Sequence, residues 1–336
     1  MVKQSFNLTN WLNQLGERMG ESNKAKLAGR KASSWCWIIV RAVIMTGLSF
    51  VLLYPLLYMT SMALRPGSEI FDATVIWVPR NITFENISGA VETLRYWESL
   101  QMTLGISFVS AMMLLVSCSL TGYGFARFTF KGRGPLFVIV LLSIIIPPQT
   151  TMISQYILNA KFDFFGILAL INMLGADIDT PNLLNTVFPF YLPAIFANGV
   201  RSGLLIFIFR QFFRGMPKEL EDAAYIDGAG PLKTYVRVMV PNARAAFLTV
   251  FLFSTVWYWN DYFFSSAFLS TSLTLSVRLA SMPNFLMTAG QFQGDPFLYI
   301  TQLQAGCLLT IFPMLVLFIV FQRYFVESIE KTGIVG

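Results

Sequence analysis

Long apolar stretches alternate with shorter polar segments along the whole chain. Six stretches contain about the 20 mostly apolar residues that a helix needs to cross a lipid bilayer. They lie at about residues 37–62, 100–124, 136–158, 187–209, 245–264 and 299–321. Prolines interrupt the third and fourth stretches, and spans tolerate proline where neighbouring helices satisfy the freed carbonyl groups. The pattern predicts an all-α integral membrane protein with six transmembrane helices.

The distribution of basic residues predicts how these spans are oriented. Of the 24 lysines and arginines, 18 lie in or beside the two terminal segments and the loops after the second and fourth spans. Five lie in the segments on the opposite side, and Arg201 lies within the fourth span. Because cytoplasmic segments of membrane proteins carry the excess of basic residues, both termini are predicted to be cytoplasmic.

Composition supports a membrane protein and removes several classes of enzyme. Hydrophobic residues make up 55% of the chain and charged residues 12%, about half the charged fraction of a soluble domain. There is no histidine, the commonest general base and metal ligand, and the three cysteines lie far apart in apolar runs. We therefore expect no metal, no cofactor and no catalytic residue. The net charge of +6 follows the predicted orientation, so it does not indicate nucleic-acid binding.

The polar, basic segment ahead of the first span is not a cleavable secretory signal. The first apolar run begins too late and is too long for that role. Apolar residues recur at helical spacing within the segment, at Phe6, Trp11, Leu12, Leu15 and Met19. Two interpretations stay open, a short interfacial helix and a loosely attached tail.

The loop at residues 215–241, between the fourth and fifth spans, has the pattern of two short helices. Pro217 suits the first helical position, and the acidic residues after it complement the helix dipole. Gly228 is suited to end this helix, Pro231 can open the next one, and Pro241 stops it. One face of the first helix is predicted to carry Leu220, Ala223 and Ala224. Such a compact knob is suited to docking into the groove of a partner.

The same loop resembles the EAA motif of bacterial ABC-importer permeases, which reads Glu-Ala-Ala, three residues, Gly, nine residues and Ile-x-Leu-Pro. Every spacing of the motif is kept here, in Asp222-Ala223-Ala224, Gly228 and Val238-Met239-Val240-Pro241. Asp222 replaces the glutamate of the motif, and the two valines replace its Ile and Leu. Glu221 could supply the longer acid if the Asp222 side chain is too short.

The resemblance covers roughly residues 35–336 and extends to the carbohydrate-uptake branch of these permeases. Residues 122–133 are similar to the loop after the second span in the smaller permease of the maltose importer. Trp259-Asn260-Asp261-Tyr262 resembles the Trp-Asn-Asp/Glu-aromatic run of the branch, and residues 332–336 resemble its Gly-rich tail. The chain departs from the branch at Glu98, where Asn is frequent, and at an insert near residues 177–182.

The resemblance implies a type I importer permease with a cytoplasmic tail at 1–35, a six-span domain at 36–325 and a second cytoplasmic tail at 326–336. It implies a bacterial inner-membrane complex of two different permeases, a dimeric ATP-binding subunit and an extracytoplasmic solute-binding protein. The chain itself is expected to be non-catalytic, because it has no Gly-x-x-x-x-Gly-Lys-Ser/Thr loop for ATP. Residues expected to couple it to the ATPase are Glu221, Asp222, Ala223, Ala224, Asp227, Gly228 and Pro241.

A polar and aromatic cluster near the end of the fifth span is the candidate pathway for a carbohydrate, because aromatic faces stack on sugar rings and amides and carboxylates bind hydroxyl groups. Its residues are Trp257, Trp259, Asn260, Asp261 and Tyr262. The alternative is an interfacial aromatic belt, which also enriches Trp and Tyr.

Three polar side chains within spans are weaker candidates. Arg201 could face a cavity or pair with an acid, but snorkelling toward the cytoplasm is favoured. Gln302 and Gln304 could line the pathway or hydrogen-bond between helices.

Two other functions compete with an importer permease. A secondary transporter driven by an ion gradient would need buried acids beside broken helices and inverted repeats, and acids are sparse in these spans. A polytopic membrane enzyme would need clustered acids or metal ligands at one face, and the acids of the outer segments are scattered. Neither alternative accounts for the spacing in the loop at 215–241.

Overall fold

The computed structural model describes residues 8–333, except for residues 73, 76, 176, 177 and 289–298. Side chains are described within residues 34–323, apart from those positions and residue 165. Every regular element in these ranges is helical, which confirms the predicted all-α class. Phe6, Asp177 and the last three residues of the Gly-rich tail lie outside the described residues. The chain divides into two compact units, residues 1–59 and 60–336.

Fourteen helices make up the described part of the chain, with short 3-10 turns at Gly67–Glu69, Pro148–Thr151 and Phe164–Gly166. In chain order the helices are α1 (Leu8–Ala63), α2 (Glu85–Thr93), α3 (Tyr96–Arg127), α4 (Arg133–Ile145), α5 (Met152–Ala160), α6 (Ile167–Met173), α7 (Phe188–Ile195), α8 (Ser202–Gly215), α9 (Glu219–Ile226), α10 (Pro231–Asn242), α11 (Arg244–Trp259), α12 (Phe263–Phe268), α13 (Leu275–Thr288) and α14 (Tyr299–Gly333).

Three continuous helical segments are long and apolar enough to cross a membrane. They are Ser34–Ala63 within α1, the whole of α3, and Tyr299–Arg323 within α14. These segments contain the first, second and sixth predicted spans. The backbone of α1 is helical through residue 35, so no break separates the polar N-terminal segment from the first span.

The third predicted span is bent rather than straight. Helix α4 and the helical segment Pro148–Ala160 meet at 100°. The bend lies at Pro147 and Pro148, which have no N–H to continue the helical ladder. A residue before proline is also driven out of the helical region, and Ile146 is accordingly extended, with φ −71° and ψ 120°.

The fourth predicted span is two helices rather than one. Helix α7 ends at Ile195 and α8 begins at Ser202. Between them the backbone takes the left-handed conformation at Ala197, with φ 53°, and at Arg201, with φ 52°. Two non-glycine residues in this region of the Ramachandran plot make a defined break that aims its side chains differently from a helix.

The fifth predicted span is shorter than the sequence indicates. Helix α11 ends at Trp259 instead of continuing to residue 264, and α12 follows after a turn. The carboxylate of Asp261 caps α12, because it accepts hydrogen bonds from the backbone N–H groups of Ser265, at 2.8 Å, and Phe264, at 3.4 Å. At its other end α11 meets α10 at an angle of 80°.

Helix α3 lies at the centre of the second unit, where it packs against α7, α8 and α11. Small side chains on its buried face allow this close packing, as in other membrane helices. At Gly122 the packing is closest, since a Cβ atom there would lie 2.6 Å from Cβ of Phe209 and 3.0 Å from the backbone nitrogen of Arg210. The small buried residues of α3 include Ser99, Thr103, Ser107, Ser110, Ala111, Cys118, Ser119 and Gly122.

A second buried cluster joins α14 to α2 and α13. Leu94, Met282 and Ala305 are fully buried in it. The amide of Gln302 donates a hydrogen bond of 3.1 Å to the hydroxyl of Thr93 on α2. Gln302 therefore bonds between helices, which was the alternative to a position on the pathway.

Candidate coupling loop and translocation cavity

The two helices of the loop at 215–241 form much as the sequence predicts. Helix α9 ends where Gly228 adopts φ 75°, and the N–H of Ala229 reaches back to the carbonyl of Ala224 at 2.9 Å. Pro231 opens α10. Pro217 was predicted at the first helical position, but it lies outside the helix, one residue before the N-cap residue Lys218.

Pro241 is incorporated into α10 rather than ending it. The helix widens into a π-helical turn at Tyr235–Met239 and ends one residue after the proline, at Asn242. Proline has no N–H and its ring crowds the carbonyl four residues earlier, which accounts for the wider turn. The side-chain amide of Asn242 donates to the carbonyl of Val238 at 2.8 Å, so this carbonyl keeps a partner.

The acid that holds the loop in place is Glu221. Its side chain is 9% exposed, and one carboxylate oxygen accepts a hydrogen bond of 2.7 Å from the hydroxyl of Tyr123. The other carboxylate oxygen lies 3.1 Å from Nε of Arg127, whose side chain is 7% exposed. Arg127 also donates to the carbonyl of Met216 at 2.8 Å. This buried group, which we call the α3–α9 clamp, fixes the loop to the last turns of α3.

The second helix of the loop is tied to the same part of α3. The hydroxyl of Tyr235 lies 2.7 Å from that of Ser119, and the Tyr235 ring packs 5.0 Å from the ring of Tyr123. Met239, a residue of α10, is fully buried. Both loop helices are thus bonded to one end of one membrane helix.

The opposite face of the loop is exposed and partly apolar. Asp222, Ala223, Asp227 and Pro241 are exposed, whereas Ala224 is buried and Leu220 half-buried. Leu220, Ala223 and Ala224 lie on one side of the helix at i, i+3 and i+4, but they are not equally buried, because Ala223 is at the exposed edge of that side. Large apolar side chains on the exposed face are Tyr225, Ile226, Leu232 and Val236.

A cavity of about 570 Å³ lies among α4, α5, α7, α8, α11 and α12, where the third and fourth predicted spans are broken. Prolines and aromatic rings form much of its wall. Its polar side chains are Ser143, Thr151, Gln155, Asn198, Arg201, Ser202 and Tyr258. The volume lies in the range of about 300–1,000 Å³ that is typical of small-molecule sites.

Arg201 is one of the residues that line this cavity, and it is exposed. Its guanidinium carbon lies 5.0 Å from the centre of the Trp257 ring, a cation–π contact. The residue precedes α8, whose 14 residues give a length of about 21 Å at 1.5 Å per residue. The side chain is too short to cover that distance to the loop at 215–241, so the predicted snorkelling toward that side is wrong.

The structure separates the five candidate pathway residues of the fifth span. Trp259 is 1% exposed and its indole donates to the carbonyl of Thr310 at 3.2 Å, so it is a packing residue and not a pathway residue. Asp261 is the cap of α12. Asn260 and Tyr262 are exposed, and Trp257 is half-buried beside Arg201.

Comparison with known proteins adds a family to this geometry. The family described as binding-protein-dependent transport system inner membrane component matches residues 40–331. The chain belongs to this family. Among the described residues, no three His, Cys, Asp or Glu side chains are grouped in a way that could hold a metal ion.

Two relatives of this permease illustrate the family. The arabinooligosaccharides transport system permease protein AraQ of Halalkalibacterium halodurans is 30% identical over 294 residues, which are 86% of this chain and 93% of the relative. The melibiose/raffinose/stachyose import permease protein MelC of Bacillus subtilis is 30% identical over 270 residues, which cover 79% of this chain and 86% of the relative.

A solved structure supports the fold of the permease. A crystal structure of a bacterial ABC transporter involved in the import of the acidic polysaccharide alginate matches with a TM-score of 0.68. The match covers 87% of this chain and 98% of that chain, at 22% identity, and it therefore concerns the fold alone.

Sequence reasoning about the permease missed the α3–α9 clamp and the cavity. The sequence predicts Glu221 as a coupling residue and as a substitute for Asp222 but not as a partner of α3, although Tyr123 and Arg127 lie on one face of that helix at i, i+4 spacing. The available signal was that spacing at the end of the second predicted span, together with two adjacent acids in the loop after the fourth. The cavity had a weaker signal, the prolines at 147, 148, 189 and 193.

Proposed function

We propose that this permease forms half of the translocation pathway of an ATP-driven importer for a sugar or oligosaccharide, and that α9 and α10 couple it to a separate ATPase. The observation that carries the proposal is the loop at 215–241. It is bonded through buried groups to a membrane helix and presents an exposed apolar face on its other side.

The exposed face of α9 and α10 supports the docking of a partner. Ile226 is 86% exposed and Leu232 is 69% exposed, and both belong to helices. Exposed apolar side chains grouped in this way are typical of protein-interaction sites. Asp222 stands beside them and supplies a charge for a basic residue of the partner.

The buried face of the loop supports transmission of movement. Because Glu221, Tyr123 and Arg127 connect α9 to α3 through charge-assisted contacts, a force on α9 acts directly on the central helix. In this proposal Asp222, Ala223, Asp227 and the exposed apolar residues contact the ATPase. Glu221, Ala224, Gly228 and Pro241 keep the loop in shape.

The names of the relatives support a carbohydrate cargo, since the two reported above are permeases for arabinooligosaccharides and for melibiose, raffinose and stachyose. The cavity offers amide and hydroxyl groups, at Gln155, Asn198 and Thr151, that can bind the hydroxyl groups of a sugar. Trp257, Asn260 and Tyr262 remain candidates for the pathway because their side chains are accessible.

The proposed assembly contains a second, different permease, a dimeric ATP-binding subunit and an extracytoplasmic solute-binding protein. The protein would cross a bacterial inner membrane six times, with both termini cytoplasmic, as the distribution of basic residues predicts. Family membership gives no support to an ion-driven transporter or to a membrane enzyme.

Affinity purification of the tagged permease from native membranes in mild detergent, read by mass spectrometry, tests the assembly. We expect the ATPase, the second permease and the binding protein to be recovered together. Asp222→Lys on the exposed face is expected to lose the ATPase and keep the second permease. Recovery of the chain alone, under conditions that preserve a known importer, would contradict the proposal.

A further inference from the structure

The cavity carries a single kind of charge. Arg201 is the charged residue among the described residues that line it, and neither Asp nor Glu contributes to its wall. An ionisable side chain within a membrane domain is unfavourable unless it pairs with another group or faces water, and it usually marks a ligand or ion pathway. A cationic cavity is suited to an anionic ligand.

No acid of the described chain neutralises this arginine. The ion pairs among the described residues join Arg80 to Asp72, Arg95 to Glu98 and Arg127 to Glu221. The Arg201 guanidinium instead lies over the Trp257 ring. A cation–π contact occupies the face of the guanidinium and leaves its N–H edge available, which is the edge that binds a carboxylate through two parallel hydrogen bonds.

The backbone contributes a second positive element at the same point. Arg201 precedes the first turn of α8, and Ser202 and Gly203 in that turn also line the cavity. The N-terminus of a helix carries a partial positive charge and backbone N–H groups. Arg201 adopts the left-handed conformation at φ 52°, a strained geometry that is concentrated at functional sites. The positive charge of Arg201 and the partial positive charge of the helix N-terminus thus belong to adjacent residues of the cavity wall.

The accessible polar groups of the remaining wall suit the hydroxyl groups of a sugar. Gln155 and Asn198 offer accessible amide groups and Thr151 offers a hydroxyl group, whereas the rings of Tyr258, Phe264 and Phe268 are almost fully buried. We propose that this cavity binds the carboxylate of an acidic sugar, with Arg201 as its counter-ion. The inference rests on the proposed function, because it assigns a class of cargo to the same pathway.

Binding of small sugars to the full chain in phosphatidylcholine nanodiscs tests the inference, and zwitterionic lipid removes anionic headgroups as competitors. The probes are D-glucuronate, D-glucose and D-glucose 6-phosphate, each followed by saturation-transfer NMR. We expect saturable binding of glucuronate that Arg201→Gln weakens at least tenfold. Arg201→Lys keeps the charge but loses the paired N–H donors of the guanidinium, so it is expected to weaken glucuronate binding less.

Arg210 provides the matched control. It lies on α8, the helix that Arg201 precedes, and its guanidinium carbon is 3.8 Å from the centre of the Phe137 ring, but it does not line the cavity. Arg210→Gln is expected to leave glucuronate binding unchanged. Equal binding by Arg201→Gln and the original chain, equal binding of glucose and glucuronate, or binding of the phosphate ester without glucuronate would each overturn the inference.

This assay requires no ATPase, so the two proposals fail separately. A chain that binds glucuronate through Arg201 but purifies without an ATPase would retain the anion site and refute the importer. A chain that purifies with the ATPase and binds glucuronate no better than glucose would refute the anion site alone.

Discussion

The α3–α9 clamp makes the coupling loop dependent on one buried carboxylate. Glu221→Gln removes its charge and leaves the side chain of Arg127, which is 7% exposed, as an unpaired buried cation. Breaking a buried ion pair by removing one partner costs about 3–5 kcal/mol. The exposed fractions are too small for solvent to screen most of this loss, so we take about 3 kcal/mol as the expected weakening of the attachment of α9.

Hydrogen–deuterium exchange of the α9 amides, in the purified full chain, measures this attachment directly. A loss of about 3 kcal/mol corresponds to exchange that is about a hundredfold faster, since each 1.4 kcal/mol is a factor of ten. The effect should be confined to α9 and the adjoining turns. Amides in the middle of α3 provide an internal reference, because the clamp lies at the end of that helix.

The double variant Glu221→Gln, Arg127→Gln separates charge pairing from simple disruption. It removes both buried charges, so we expect exchange of the α9 amides to be slower than in Glu221→Gln alone. Glu221→Asp shortens the acid and is expected to give an intermediate rate. If the single variant exchanges at the original rate, or if the second substitution adds its effect in full, the clamp does not hold the loop as described.

Three further substitutions test the structure, and two of them have matched controls within the chain. Gly228→Ala should destabilise the loop by about 1–2 kcal/mol, because residue 228 has φ 75°, although there is open space around it. Gly230→Ala, also in open space but with φ −75°, should not destabilise the loop. Thermal unfolding of the two variants distinguishes them. Gly122→Ala should lower stability by about 1–3 kcal/mol because its Cβ would meet α8, whereas Gly124→Ala on the same helix meets nothing within 4 Å. Asp261→Ser keeps a capping oxygen for α12 and should preserve ATP-driven uptake; loss of uptake without loss of stability would return Asp261 to the pathway.

Local chemistry made much of the fold predictable. The first, second and sixth predicted spans are long apolar runs that form continuous helices. Gly228 follows the end of α9 and Pro231 begins α10, as the backbone preferences of glycine and proline predict. The structure differs from the prediction where hydropathy favours a continuous helix but the local backbone does not. Hydropathy predicted continuous third and fourth spans, but backbone geometry at residues 146–148 and 197–201 breaks both of them.

The candidate site was less predictable because it depends on contacts between distant parts of the chain. Trp259 and Asp261 belong to the same short motif, yet tertiary packing makes one a core residue and the other a helix cap. The pairing of Glu221 with Arg127 joins residues that are far apart in sequence. Pattern analysis identified the loop but not which acid faces inward.

Site-directed cross-linking from Ile226 tests the central claim, that this loop docks onto an ATPase. The three cysteines, Cys36, Cys118 and Cys307, are first replaced, and a single cysteine is then placed at Ile226, which is 86% exposed on α9. A control cysteine replaces Ile82, which is 62% exposed in the loop between α1 and α2. We predict that a short cross-linker in native membranes joins position 226, and not position 82, to an ATP-binding subunit. Absence of that product from position 226, with the complex otherwise intact, would contradict the account.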